Sequence, residues 1–305
     1  MALQKEIKIY KKNNIFSIIV AYKPILHNIK NIISWHEKNF SHLILVNNSH
    51  EISLDSFQSS QVTIINNTSN VGLAGALNIG ILEAKKQGVE MVALFDQDTL
   101  LPHDFLKNML KNINAYQGDK KPALFSPVFF NNVTNDYGPI INFKPFRLIR
   151  SKPDKQKSVA KPHYVITSGS FIPISVLDDI GLMREELFID FVDIEWCLRA
   201  RAKEYEIVSF PQVEITHHLG DFSISFMGTN YPIHSPLRMY YHFRNAMYLY
   251  RLREIDGNWR LVDAFRNLFR FLFYMLFVKN RATYFKYIIK GYYHGLIKRM
   301  GGLKE

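Results

Sequence analysis

Met91-Val92-Ala93-Leu94-Phe95-Asp96-Gln97-Asp98 decides the reading of this chain: five apolar residues run into two carboxylates spaced i, i+2. A short apolar run of this length reads as a buried strand, and alternation puts Asp96 and Asp98 on one side of its carboxyl end. Carboxylates held on one side repel, so keeping both implies a cation or a shared task. Oxygen ligands clustered at a strand end suit Mg²⁺ or Mn²⁺ shared with substrate phosphates. That is the chemistry of an enzyme handling a nucleoside diphosphate. The plainer alternative is a strand running out into a polar turn, with Asp98 capping a helix that Pro102 and Asp104 begin. Asp-x-Asp alone does not choose between them.

The flanking sequence supplies a context. Ile15 to Ala21 reads as a buried strand followed by a Tyr22-Lys23-Pro24 turn and a helix from about Ile25 to Asn39. Leu43 to Val46 is a second strand ending at Asn47-Asn48-Ser49, and Val62 to Ile65 a third. Asn70-Val71-Gly72-Leu73-Ala74-Gly75-Ala76-Leu77-Asn78-Ile79-Gly80 opens a helix that Gly88 stops. Strand and helix alternate with short connections, which predicts a parallel α/β sheet with helices on both faces. Ligands of such sheets bind outside the carboxyl ends of the strands, where Tyr22, Asn47, Asn48, Gly72, Asp96 and Asp98 all fall. From Tyr116 to Lys161 the chain is Pro-, Asn- and Lys-rich, and strands and loops are expected without a clear pattern.

At 305 residues and 47% apolar composition, the chain can build one large α/β domain with an appended segment. The first fourteen residues lack a continuous apolar stretch, so no secretory signal is expected. A single cysteine, Cys197, predicts a reduced, cytoplasmic setting. The net charge of +11 is concentrated C-terminally: from Arg238 onward there are fourteen Lys or Arg against four Asp or Glu. That tail is also rich in Phe, Tyr, Leu and Ile. Its most apolar piece, Leu268 to Val278, is too short to span a bilayer and contains Arg270. A basic, aromatic, amphipathic segment reads as a helix pair lying on an anionic membrane surface, or as helices packed on the catalytic domain with a solvated basic face. No nucleic-acid motif accompanies the charge, so nucleic acid is not an expected partner.

Asp193 precedes a helical stretch from Ile194 to Lys203, with bases at its far end. It can be an N-cap, with Glu195 as a first-turn residue suited to the helix dipole. Local sequence favours that reading; the alternative is a general base at the mouth of the pocket, taking a proton from an acceptor hydroxyl. His217 and His218 follow a strand at Val213 to Thr216; on extended chain they point to opposite sides, so one of them can join a metal shell beside the aspartates. Arg244 and Asn245 can reach a diphosphate or anchor the tail.

The order of these pieces resembles family 2 glycosyltransferases with the GT-A fold. The matching elements are the strand Ile15–Ala21 with Tyr22, Val46-Asn47-Asn48-Ser49, Asn70-x-Gly72-x-x-Gly75 with Asn78-x-Gly80, Asp96-Gln97-Asp98, Gly169-Ser170-Phe171, the stretch Phe191 to Arg201 around Asp193, and His217. Within the family, Phe95-Asp96-Gln97-Asp98-Thr99 and His217-x-Leu219-Gly220-Asp221 look most like bacterial rhamnosyltransferases of surface polysaccharide synthesis. The resemblance implies a GT-A catalytic domain over residues 1–235 and a C-terminal helical, membrane-associating segment over 236–305. It implies that Tyr22, Asn47 and Asn48 line the base pocket, that Gly72 allows close backbone approach, and that Asn78 sits near the nucleotide. Asp96 and Gln97 would lie at the donor sugar and ribose, and Asp98 would hold Mg²⁺ or Mn²⁺ on the diphosphate with help from His217. Asp193 matches the catalytic base, with Gly169, Ser170, Glu195 and Trp196 toward the acceptor. Position 47 is Asn where many relatives have Asp, and position 76 is Ala where many have Arg.

The expected activity is inverting transfer of a sugar from a nucleotide-sugar donor, dTDP-L-rhamnose on the subgroup resemblance. The acceptor expected is a polyprenyl-diphosphate-linked glycan at the inner face of the cell membrane, and a homodimer through the aromatic tail is open. Alternatives are another donor such as a UDP-sugar, a nucleotidyltransferase, or a non-catalytic scaffold binding membrane or polyanion. Tyr22-Lys23-Pro24 lacks the Gly-rich phosphate loop that a nucleotidyltransferase usually carries after its first strand.

Overall fold

The computed structural model describes residues 9–132, 135–216, 223–226 and 229–303. Strand β1 (Ile15–Ala21) is buried at all positions but one, because sheet neighbours flank it and helices cover both its faces. It pairs in parallel with β2 (His42–Asn47) on one side and β4 (Met91–Asp96) on the other, and β2 pairs in parallel with β3 (Val62–Asn66). The crossovers carry α1 (Leu26–Asn39) and α2 (Gly72–Lys86). The chain therefore travels from β1 out to β3 and returns to the opposite flank of β1. At such a reversal the connections diverge and leave a crevice at the carboxyl ends of the strands. Tyr22 follows one of these two strands and Asp96 ends the other.

Beyond β4 the sheet, mostly parallel as expected, takes in an antiparallel strand. The neighbour of β4 is β9 (Ser170–Pro173), which runs antiparallel to both β4 and β5 (Pro122–Asn131). The outermost strand, β10 (Glu206–Thr216), is parallel to β5. The reason lies in the connection: from β5 to β9 the described residues hold no helix that carries the chain back, and Ser170 pairs with Leu94 near the carboxyl end of β4. The irregular middle of the sequence contains β6 (Asp136–Tyr137), paired with β5, and a hairpin of β7 (Ile140–Lys144) and β8 (Arg147–Ser151). A second hairpin joins β11 (Ser223–Phe226) to β12 (Thr229–Pro232).

Alternation sorts the strand side chains into two layers. Ile15, Ile19, Leu43, Met91 and Phe95 face α1 and α3 (Phe105–Ala115). Ile18, Val20, Val46, Val92 and Leu94 face α2, α4 (Ile174–Ile180) and α5 (Val192–Ala202). The second layer also takes Leu249 of α6 (Pro236–Leu249) and Trp259 of α7 (Gly257–Phe277), so the C-terminal helices share the main core. With α8 (Arg281–Leu296) they form a further cluster around Met239, Phe243, Tyr274 and Ile288. The tail is thus three helices rather than a pair. Gly291 and Gly295, one turn apart on α8, press against α6: a Cβ at either would lie 2.5 Å from the carbonyl oxygen of Tyr240 or Arg244. Among the described residues no helix is long and apolar enough to cross a membrane.

Candidate active site

Asp96 shares its side of β4 with Val92 and Leu94, which directs it toward the layer containing α5. The strand stops there, and Asp98 lies exposed in the turn beyond. Helix α3 begins at Phe105 with Asp104 in the cap position, so the reading of Asp98 as a helix cap fails. Ser168 braces the turn: its Oγ accepts from the Asp96 amide at 3.2 Å and shares a 2.5 Å hydrogen bond with Thr99 Oγ1. Burial, reinforced by the charge of Asp98 and opposed by Arg238, pushes the Asp96 carboxyl up to about 7.

Asp193 stands at the second position of α5, not at its cap, which is Phe191 in a left-handed conformation. Its Oδ1 accepts from the Ile194 amide at 2.8 Å. Burial pushes this carboxyl up to about 6; the Ile194 hydrogen bond opposes the shift, while Asp96 and Asp190 add to it. Asp193 therefore senses the charge of Asp96, and residues far apart in sequence lie close enough to interact. Arg238, from the first turn of α6, adds a cation that acts on Asp96 and bonds Asp190 Oδ1 at 3.1 Å. The other oxygen of Asp190 is buried without a partner among the described residues.

The neighbouring candidates divide into those at the crevice and those beneath it. Tyr22 is half-exposed at the mouth. Gln97 fixes it with two bonds, accepting from the Tyr22 amide at 2.9 Å and donating to its carbonyl at 3.0 Å. The Gln97 amide is thereby spent on the protein. Asn47 and Asn48 are buried: Asn47 donates to Ile52 O and Asn66 Oδ1, and Asn48 binds Asn67, Asn70, Val71 and Gly72. They lie buried at the carboxyl end of β2, and their side chains are engaged with the protein. Asn78 is also buried, tying α2 to the Met183 amide and carbonyl and to Glu185, so the expected place near the nucleotide is corrected to a structural bond. Gly72, at φ +79°, is required by a different close approach: a Cβ there would lie 2.6 Å from the Phe188 ring.

The acceptor-side expectations need similar correction. Glu195 is fully buried, accepting from Arg184 Nε at 2.7 Å and Arg199 Nε at 2.8 Å. Trp196 is buried with its indole N–H on Gly181 O. Ser170 is buried within β9 and donates to Ile166 O. Gly169 has φ +82° and packs on Pro127, its amide bonded to Leu94 O. None of these side chains is available to an acceptor; Ser168, one residue earlier, is the one that touches the Asp96 turn. His217 and His218 lie outside the described residues. The strand leading to them ends at Thr216, which exchanges two 3.0 Å backbone bonds with Leu100, two residues past Asp98.

Arg238 and Ser168 had no motif to mark them; the only sequence cue for Arg238 was the basic excess of the tail. Arg244 and Asn245 anchor rather than reach for phosphate, since both are fully buried and bonded to the 186–190 backbone. Among the described residues no three His, Cys, Asp or Glu side chains cluster as a metal shell. The donor set nonetheless fits a hard divalent cation: Asp98 offers exposed carboxylate oxygen, and its repulsion of Asp96 is the strain a cation relieves.

The family model described as "Glycosyl transferase family 2" matches residues 18–181. The chain is 31% identical over 294 residues to the dTDP-rhamnosyl transferase RfbF of Shigella flexneri, covering 95% of this chain and 98% of that one. It is 24% identical over 212 residues to the low-salt glycan biosynthesis hexosyltransferase Agl10 of Haloferax volcanii, 66% of either protein. A solved structure of GalNAc-T7 with UDP, GalNAc and Mn²⁺ matches with a TM-score of 0.56 at 14% identity, over 84% of this chain and 54% of that one, a likeness of fold. With the family match covering more than half its length and a relative aligned almost end to end, this chain belongs to glycosyl transferase family 2.

Proposed function

We propose that the protein is an inverting transferase that moves L-rhamnose from dTDP-L-rhamnose to a hydroxyl of a lipid-linked glycan in surface polysaccharide synthesis. The observation that carries this reading is the meeting of Asp96, Asp98 and Asp193 at the crevice between β1 and β4. The near full-length similarity to a dTDP-rhamnosyl transferase supports the donor. The crevice would seat the nucleotide against Tyr22 and the Asn47–Asn48 pair, with the diphosphate toward Asp98. A Mg²⁺ or Mn²⁺ ion held by Asp98, with His217 as a further ligand, would offset charge growing on the leaving diphosphate. Asp193 would take the proton of the acceptor hydroxyl as its oxygen attacks the anomeric carbon and the bond to the diphosphate breaks. Titrating the purified protein calorimetrically with dTDP-, UDP- and GDP-sugars in Mg²⁺ or Mn²⁺, then in EDTA, tests this. Binding of dTDP-L-rhamnose at least about tenfold tighter than the others, lost in EDTA, is expected. Preference for a UDP- or GDP-sugar would discard rhamnose.

The acceptor class rests on the tail. Leu261, Phe265, Leu268, Leu272 and Leu276 make one exposed stripe along α7, at spacings of three and four residues. Phe285, Ile289 and Tyr293 extend it on α8, with Lys279, Arg281 and Lys286 exposed nearby. Apolar side chains bordered by cations suit the boundary between acyl chains and anionic headgroups. We therefore place the enzyme peripherally on the inner face of the cell membrane. Replacing Leu268, Leu272 and Leu276 together with Ser should weaken flotation with phosphatidylglycerol-rich vesicles by about 100-fold or more, since each Leu is about half exposed and its further burial contributes roughly half of the 1.5–3 kcal/mol of a whole side chain. Unchanged flotation, or a dimer in sizing chromatography that this triple variant dissociates, would remove the membrane assignment.

A further inference from the structure

Phe188, Asp190 and Phe191 all have positive φ, of 64°, 62° and 65°, immediately before Asp193. Side-chain-bearing residues rarely adopt this conformation, and three within four positions persist only where the surroundings impose it. The surroundings are the start of α2, whose Leu73 amide donates to Phe188 O at 2.6 Å, and one face of α6. Arg238, Tyr241, His242 and Asn245 fall at i, i+3, i+4 and i+7, and each touches the turn. Arg238 bonds Asp190; Tyr241 stacks on Phe188 with ring centroids 5.1 Å apart; His242 packs on Phe191 at 4.7 Å. Asn245 Nδ2 donates to the carbonyls of Leu187 at 2.9 Å, Ile189 at 2.7 Å and Asp190 at 3.0 Å. Its Oδ1 accepts from Arg244 Nε at 3.0 Å, which sets the amide's orientation, and Arg244 binds Glu186 O, Leu187 O and Gly301 O.

We propose that α6 is a positioning helix for catalysis, with Asn245 as its central positioning residue: it holds the left-handed 188–191 turn, and the turn presents Asp193 to the acceptor. This rests on the reading of Asp193 as the base. The geometry favours it over simple anchoring of the tail because the Asn245 bonds converge on the carbonyls that flank the positive-φ residues, at Leu187, Ile189 and Asp190, rather than on the regular helix beyond. The close fit of Gly291 and Gly295 against Tyr240 and Arg244 braces α6 from behind.

The test compares Asn245→Ala, Arg238→Gln and Asp193→Asn in the full-length protein, measuring kcat, donor Kd by calorimetry, and Tm. Tyr250→Phe, which removes a buried hydroxyl bonded to Asp263 away from the turn, reports a stability loss without a positioning effect. Asn245→Ala should lower kcat about 30- to 100-fold, as small misplacements of a reacting group do, with donor Kd changed less than about threefold. Arg238→Gln, at a half-exposed side chain, should lower kcat about three- to tenfold, and it decides the matter alone should Asn245→Ala not fold. A kcat kept within about threefold in the folded variants, or a donor Kd weakened in step with kcat, overturns the proposal. If Asp193→Asn itself stays active, the base reading fails and the proposal falls with it. An inactive Asp193→Asn beside a fully active Asn245→Ala overturns the positioning role alone.

Discussion

Asp193→Asn is expected to lower kcat by about two to four orders of magnitude while donor affinity stays near wild type, the range that a positioned general base contributes. Asparagine keeps the shape and can still accept from the Ile194 amide, but it cannot take the acceptor's proton. The same variant should be as stable as the wild type or more so. Burial and the charges of Asp96 and Asp190 disfavour ionised Asp193, raising its carboxyl from the ordinary 3.8 to about 6. The sign follows from linkage: the folded state holds this proton more tightly than the unfolded chain, so the group favours folding below about pH 4, and that contribution is lost as pH rises through about 6. Removing the charge relieves the site at neutral pH. A kcat collapse with an undiminished Tm thus separates lost chemistry from misfolding, whereas turnover at wild-type rate would dismiss Asp193 as the base. The wild-type kcat profile should fall about tenfold per unit below an apparent pKa near 6 belonging to the coupled carboxylates, where an ordinary aspartate would hold its activity to about pH 4.

The sequence showed the half of the sheet that is built by repetition. β1 to β4 are mostly apolar runs, their crossovers are short, and the boundaries of α1 and α2 fall within a residue or two of expectation. The place of Asp96, Asp98 and Tyr22 at the strand ends was legible because those ends gather at one edge of such a sheet whatever the loops do. What composition could not show was which polar side chains the fold would consume. Asn47, Asn48, Asn78 and Glu195 look like ligands in a linear string, yet each is taken up by backbone, asparagine or arginine partners that the folded chain brings beside it. Gly72 signalled a close approach correctly, but the approaching group is Phe188, 116 positions later, rather than a ligand. The antiparallel β9 escaped notice because a four-residue apolar strand carries no record of its direction. The 188–191 turn escaped for a stronger reason: no glycine marks it, and the groups bonded to it come from α2 and α6, remote in sequence.

Asp98→Ala is expected to act on the other side of the reaction. Asp98 is exposed at the crevice and repels Asp96, whose carboxyl rises to about 7 partly on that account. Two such carboxylates are unfavourable together until a cation is shared between them and the donor's phosphates. In Mg²⁺ or Mn²⁺ the substitution should lower kcat/KM by about two to three orders of magnitude, in keeping with the several kcal/mol an ion contributes at a transferring phosphate. In EDTA the donor affinities of variant and wild type should converge. A thermal readout makes the argument independent of turnover. An ion that binds only the folded protein stabilises it by RT ln(1 + [M]/Kd), so Mg²⁺ or Mn²⁺ should raise the wild-type Tm. The variant should start from an equal or higher Tm in EDTA, because one repulsive charge is gone, and should then gain little from added metal. Metal-stimulated activity and a metal-induced Tm shift both surviving in Asp98→Ala would move the cation to other ligands.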